Sequence, residues 1–126
     1  MTTPSYKIDV VAESVFLPDQ SDESASRYHF AYTIKVANKG TVAAQLISRH
    51  WIITDSNGRV QEVRVEGVVG EQPNLEPGAV FEYSSSASLE TSVGTMRGSY
   101  QMLAQDGTRF EATIPEFTLS IPRVLH

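Results

Sequence analysis

The sequence predicts an all-β domain, a sandwich of two sheets made of about seven or eight short antiparallel strands. Three observations lead to this prediction. Apolar and polar residues alternate along several segments, turn residues separate those segments regularly, and no segment shows an apolar stripe of helical period. The 126 residues are 40% hydrophobic, which suffices for a core of ordinary size, and we assign residues 1–126 to one domain.

The first half of the chain holds the clearest strand patterns. From Tyr28 to Asn38 every second residue is apolar, which predicts a half-buried strand. A second strand is predicted for about residues 45–54, and Asn57-Gly58 follows it as a hairpin signal. The return strand is predicted for residues 60–69. Residues 6–11 alternate in the same way and predict an N-terminal strand.

The second half continues the pattern. Further strands are predicted for residues 80–85, 96–104 and 110–114. Asp106-Gly107 marks the hairpin between the last two. Residues 117–121 alternate once more, and Pro115 and Pro122 place this stretch at a sheet edge or at a strand break. The polar residues 19–26 are expected to form a flexible loop.

The composition limits the possible cellular compartments and the possible classes of binding partner. The chain has no cysteine, which excludes disulfides and thiolate metal sites and favours the reducing cytoplasm. The formal charge of −5 comes without a basic stripe, so we expect no nucleic-acid partner. The apolar runs are too short for membrane insertion, and residues 1–7 lack the pattern of a signal peptide.

Catalytic motifs are weak in this sequence. No serine lies in a Gly-x-Ser-x-Gly elbow, and the only candidate bases are His29, His50 and His126. His29 and His50 lie on predicted strands, where a partly exposed histidine is ordinary. A triad assembled only in space stays open, but the expected protein is not an enzyme and has no catalytic residue.

Metal-binding motifs are weak as well. The chain has no His-x-x-x-His pair and no calcium-binding loop, so we predict no metal site and no cofactor. Glu62 and Glu66 share one face of a predicted strand, and Glu71 follows closely. These carboxylates could hold a hard cation weakly, and weak divalent-cation binding is therefore an alternative. A solvated polar face is the favoured interpretation.

The segment Gly67-Val68-Val69-Gly70 follows a predicted strand, where a phosphate-binding loop would lie. Dinucleotide-binding loops read Gly-x-Gly-x-x-Gly and lead into a helix. Here Val65 takes the place of the first glycine, and Pro73 follows without a helical pattern. A turn or bulge is the favoured interpretation, and binding of a nucleotide or pyrophosphate is the alternative.

A protein-binding surface is the leading functional hypothesis. Loops of sandwich domains often carry recognition residues, and arginine is frequent at binding hot spots. The predicted binding residues are Gly67, Gly70, Glu71, Gln72, Pro73, Arg97 and Arg49. Trp51 shares a strand face with Arg49 and is expected in the core. The partner is an unidentified protein, and a homodimer through an edge strand is a further option.

Several of these segments together resemble the bacterial ApaG family. The matching segments are 49–55 with Asn57-Gly58, and 67–73 with Leu75, Pro77-Gly78 and 81–83. The match continues with Leu89, Thr91, Gly94, Met96, Gly98, Tyr100 and Met102, and closes with Phe110, Ile114-Pro115 and Phe117. The resemblance implies an immunoglobulin- or fibronectin type III-like sandwich. It also implies an association with cobalt resistance and magnesium efflux, in a family without an established biochemical activity. Similar eukaryotic domains look like protein-binding modules.

Overall fold

Two antiparallel sheets packed face to face form the fold, in a computed structural model that describes residues 3–122. The strands are β1 Ile8–Phe16, β2 Tyr28–Asn38, β3 Ala44–Asp55, β4 Val60–Glu66, β5 Asn74–Leu75, β6 Val80–Leu89, β7 Val93–Ala104 and β8 Arg109–Ser120. The smaller sheet has the order β1-β2-β6 and the larger the order β4-β3-β7-β8, with β5 paired to β3. The predicted β-sandwich is confirmed.

The core follows from the alternation along the strands. On β2 the apolar positions Phe30, Tyr32 and Ile34 are buried, whereas the residues between them reach the outer face. Trp51 of β3 is also in the core, as predicted, and its ring meets those of Tyr32 and Phe117 edge-on or nearly so, at centroid distances of 5.6 and 6.0 Å. Each such side chain stabilises the fold by about 1.5–3 kcal/mol through burial.

A β-bulge at Ile47 changes which face of β3 points inward. The register against β7 shifts between Leu46 and Ser48, so Ile47 is an extra residue. Leu46 is buried before the bulge, and Trp51 is buried after it. Because these two positions are an odd number of residues apart, only the extra residue allows both to face the interior. The same shift puts Arg49 on the inner face, opposite Tyr100 of β7.

The C-terminal pattern forms one strand rather than two. β8 runs through Pro115, and the β7–β8 register shifts there, so that Arg97 stands opposite Pro115 and Glu116. β8 is an edge strand, as the prolines indicated, and an edge tolerates a residue without an N–H group. The segment expected to be a flexible loop instead contains two 3-10 turns, Pro18–Gln20 and Glu23–Ala25.

The two sides of the sandwich differ. On one side β1 packs against β8, and the Ser14 hydroxyl donates to the Thr118 carbonyl over 2.8 Å. On the other side the edge strands are β4 and β6. One end of that side is bridged by the Arg59–Glu90 ion pair, with Nη1 and Oε1 2.6 Å apart. Between these two edges the sandwich opens into a cleft.

Candidate binding cleft and edge strand

The glycine segment after β4 is a tight turn. Val68 and Glu71 exchange hydrogen bonds between their backbone N–H and carbonyl groups, over 2.7 and 2.9 Å. The two residues between them, Val69 and Gly70, have φ of 48° and 79°. Positive φ at both central positions defines a type I′ turn, which suits glycine and strains a β-branched valine. The predicted turn therefore explains Gly70 without a ligand.

The same segment anchors the bulge of β3. The Gly67 N–H and the Gln72 side-chain amide both donate to the carbonyl of Ile47, over 2.7 and 2.9 Å. The Leu46 N–H donates to the Pro73 carbonyl over 2.9 Å. A Cβ on Gly67 would lie 2.3 Å from the carbonyl oxygen of Glu71. Gly67, Gln72 and Pro73 thus hold the chain beside the bulge.

This arrangement engages three of the five backbone N–H groups of residues 67–71, whereas those of Val69 and Gly70 have no acceptor within residues 3–122. The N–H groups of Gly67, Val68 and Glu71 all donate to carbonyls of the protein. The exposed side chains of Glu66 and Glu71 add negative charge to the same surface. A phosphate cradle requires N–H groups that are free to point at the ligand.

The two arginines of the predicted site lie on opposite faces of the larger sheet. Arg97 is exposed on the outer face and pairs in register with Ile52. Arg49 lies on the inner face. Ile52 is about 15 Å along β3 from Ile47, where the turn is anchored. The structure therefore does not bring Arg97, Arg49 and the turn together in one patch.

Arg49 lines the cleft between β4 and β6, which encloses about 230 Å³. The space arises because the inward side chains of β6 opposite Phe30 and Tyr32 are small, namely Ala87 and Ser85. Gln61 and Val63 of β4 line the other side. The sequence analysis missed this cleft, and its signal is the pair of small residues at inward positions between Tyr83 and Leu89.

Buried donors lie at this cleft. The Nε and Nη1 atoms of Arg49 and the Nε1 atom of Trp51 are buried, and none of them has a hydrogen-bond partner within residues 3–122. Trp51, which also lines the cleft, is 3% exposed. Burying such a donor without a partner costs about 1–3 kcal/mol, and more when the group is charged.

A tyrosine pair lies deeper beside Arg49. The hydroxyls of Tyr83 and Tyr100 are hydrogen-bonded over 2.6 Å. Burial raises the pKa of both hydroxyls above the usual value, while the positive charge of Arg49 and the contact of its guanidinium with the Tyr83 hydroxyl act in the opposite direction. Both tyrosines therefore stay neutral and cannot neutralise the guanidinium.

Among the described residues, His29 and His50 lie apart and have different partners. His50 lies on the outer face, with Nε2 2.5 Å from Oε1 of Glu62, which Arg64 also approaches at 3.4 Å. His29 Nδ1 lies 2.5 Å from the Ser88 hydroxyl across β2 and β6, but within the described part of the chain no carboxylate hydrogen-bonds to His29. His126 lies outside the described residues. Residues 3–122 contain no group of three or more side chains suited to hold a metal ion.

Comparison with known proteins decides the family. Residues 18–104 match the family model of the ApaG domain. The chain belongs to the ApaG family. It is 64% identical to Protein ApaG of Thiobacillus denitrificans over 121 residues, covering 96% of this chain and 95% of that one. It is 57% identical to Protein ApaG of Chromobacterium violaceum over the full length of both chains. The resemblance noted in the sequence is confirmed.

Solved structures agree with this family fold. A crystal structure of a Bordetella pertussis protein named ApaA is similar with a TM-score of 0.91 and 51% identity, covering 94% of this chain and 97% of that one. The C-terminal domain of Wzt is 11% identical with a TM-score of 0.55 and covers 98% of this chain and 78% of that one, so it shares the fold alone. No helix in residues 3–122 is long and apolar enough to cross a membrane.

Proposed function

We propose that this ApaG-family protein is a non-enzymatic domain of the cytoplasm that binds another protein along the edge strand β4. One observation carries the proposal. All seven residues of β4, Val60–Glu66, are exposed, and among the strands of residues 3–122 β4 pairs only with β3. Its three valines, Val60, Val63 and Val65, are 59%, 37% and 38% exposed.

An edge of this kind suits the addition of a strand from a partner. The unpaired side of an edge strand presents backbone N–H and carbonyl groups that an extended segment can pair with. Val63 and Val65 stand opposite Trp51 and Arg49 in the register, and therefore face the cleft side of the sheet. Partner side chains at alternate positions would contact these valines on one face and the charged residues of β4 on the other.

A second copy of the chain is the competing occupant of β4. Antiparallel pairing of two copies about Val63 would place Glu62 opposite Arg64 of the other copy, and opposite charges across strands are favourable. The molar mass in solution distinguishes the two occupants. A monomer at micromolar concentration leaves the edge open for another protein, whereas a dimer that Val63→Lys dissociates would assign the edge to self-association.

The experiment compares two edge strands of the same protein. Val60→Lys with Val65→Lys places two lysines on β4, where they oppose strand addition. The control is Val11→Lys with Val15→Lys on β1, where both valines are 58% exposed. A protein retained from cell extract is identified, purified and titrated against all three forms. We expect the β4 variant to bind it at least about tenfold more weakly, a loss of about 1.4 kcal/mol. Equal binding by all three forms would refute the role of β4.

Nucleotide binding and divalent-cation binding are the two alternatives to protein binding, and each has an observation against it. The turn N–H groups of Gly67, Val68 and Glu71 donate within the protein, so we prefer protein binding over nucleotide binding. Glu62 is engaged by His50, which disfavours Glu62 as a cation ligand. On this proposal a contribution to cobalt resistance or magnesium efflux would pass through the bound partner. Phosphate release from ATP that the purified protein sustains, and that Glu71→Ala abolishes, would contradict the non-enzymatic role.

A further inference from the structure

We propose that the cleft between β4 and β6 is a binding site for a carboxylate group, which Arg49 and the indole N–H of Trp51 would hold. Three N–H-bearing nitrogens of these two side chains are buried and without a partner in the described range 3–122. Both residues line the cleft, and they stand two positions apart on the same face of β3. The site does not require strand addition to β4, so it goes beyond the proposed function.

The fold holds the guanidinium in this place at a cost. The Ile47 bulge turns Arg49 inward, and Gly67 and Gln72 secure that bulge through the Ile47 carbonyl. An arginine without its counter-ion is unfavourable at a partly buried position. Such a residue is explained when a ligand supplies the missing acceptors. The guanidinium fork matches the two oxygens of a carboxylate.

The charge of the cleft favours a carboxylate over a phosphate. Within the described part of the chain, residues 3–122, Arg49 is the only charged residue that lines it, and its neighbours include Trp51, Gln61, Ser85 and Met96. A single negative charge would be neutralised by the one guanidinium. A phosphate monoester carries a charge of about −1.5 to −2 at pH 7 and would keep part of it unpaired.

The size of the cleft limits what enters it. Its volume of about 230 Å³ is smaller than that of pockets for drug-sized molecules, which span roughly 300–1,000 Å³. A small organic acid fits these limits, and so does the carboxylate of an aspartate, a glutamate or a chain end. These sources share one recognition chemistry, and probes of different size separate them.

Trp51 provides a direct readout because the chain contains one tryptophan. Its indole N–H gives a single side-chain resonance in a ¹H–¹⁵N spectrum. The probes are acetate, acetamide, inorganic phosphate, and the capped peptides acetyl-Val-Glu-Val-amide and acetyl-Val-Gln-Val-amide, all at one ionic strength. We expect acetate to shift the resonance to saturation, with a dissociation constant on the order of 1 mM. Acetamide and the glutamine peptide should leave it unchanged.

Variants of the two arginines test whether the guanidinium of Arg49 is responsible for the acetate-induced shift of the Trp51 resonance. Arg49→Met should abolish the acetate shift, whereas Arg97→Met, on the outer face of the same sheet, should retain it. If Arg49→Met does not fold, Arg49→Lys keeps the charge but loses the fork, and should bind at least about tenfold more weakly. Val60→Lys alone, on the face of β4 that points away from the cleft, should leave acetate binding intact, which separates this site from strand addition on β4.

The titrations with the peptides distinguish a peptide side chain from a free small acid as the source of the carboxylate. A glutamate peptide that binds at least tenfold more tightly than acetate indicates a peptide ligand, and equal or weaker binding indicates a free small acid. Absence of a saturable shift with every carboxylate would mean that water satisfies these donors, and would overturn the proposal. An equal shift in Arg49→Met, or tighter binding of phosphate than of acetate, would overturn it as well.

Discussion

Replacement of Arg49 by methionine should stabilise the protein in the absence of a ligand. Methionine keeps a long apolar stem in the cleft and removes the two buried donors, Nε and Nη1, that lack partners. Each such group costs about 1–3 kcal/mol, and the loss of contacts between the guanidinium and Tyr83 offsets part of the gain. We therefore expect a net increase of about 1–3 kcal/mol in the free energy of unfolding. For a chain of this length that corresponds to about 3–12 °C in Tm.

The assay is urea and thermal unfolding in a buffer free of carboxylates, with Arg97→Met as the matched control. That control removes an exposed arginine and should change the free energy of unfolding by less than about 0.5 kcal/mol. Acetate at ten times its dissociation constant should then stabilise the wild-type protein, but not Arg49→Met, by about 1.4 kcal/mol. A loss of more than about 1 kcal/mol in Arg49→Met would show that the guanidinium is already satisfied, and would refute the reasoning.

Three further predictions concern the turn after β4, each measured by urea unfolding. Gly67→Ala should destabilise the protein by more than about 3 kcal/mol because the new Cβ would meet the Glu71 carbonyl oxygen at 2.3 Å. The control is Gly58→Ala, at a position that also has a positive φ but where no atom lies near the new Cβ, and it should lose only about 1–2 kcal/mol. Val69→Asn should gain about 1 kcal/mol, since asparagine tolerates the φ of 48° better than valine. Gln72→Ala should lose about 1 kcal/mol with its hydrogen bond to the Ile47 carbonyl; Glu71→Ala, which removes an exposed side chain, should stay within about 0.5 kcal/mol. Equal losses in Gln72→Ala and Glu71→Ala would contradict the anchoring role.

The strands and hairpins were predictable because their causes are local. The period-two alternation of β2 is visible without any partner strand. Asn57-Gly58 marks the hairpin between β3 and β4, although of these two residues Gly58 alone takes a positive φ. Asp55 holds the rest of that loop in place, because its carboxylate accepts hydrogen bonds from the N–H groups of Asn57 and Arg59, each with a donor–acceptor distance of 2.9 Å. All these contacts lie within five residues of sequence.

The amino-acid sequence by itself determined the sandwich, the buried Trp51 and the common face of Trp51 and Arg49, since alternation is a property of neighbours along the chain. It did not determine that Leu46 and Trp51, which are an odd number of residues apart on β3, both face the interior. That depends on the extra residue Ile47, whose carbonyl accepts from Gly67 and Gln72 twenty or more positions later. The cleft likewise needs two edge strands from different sheets. Only tertiary packing brings such distant groups together, and it places Arg49 in the lining of the cleft.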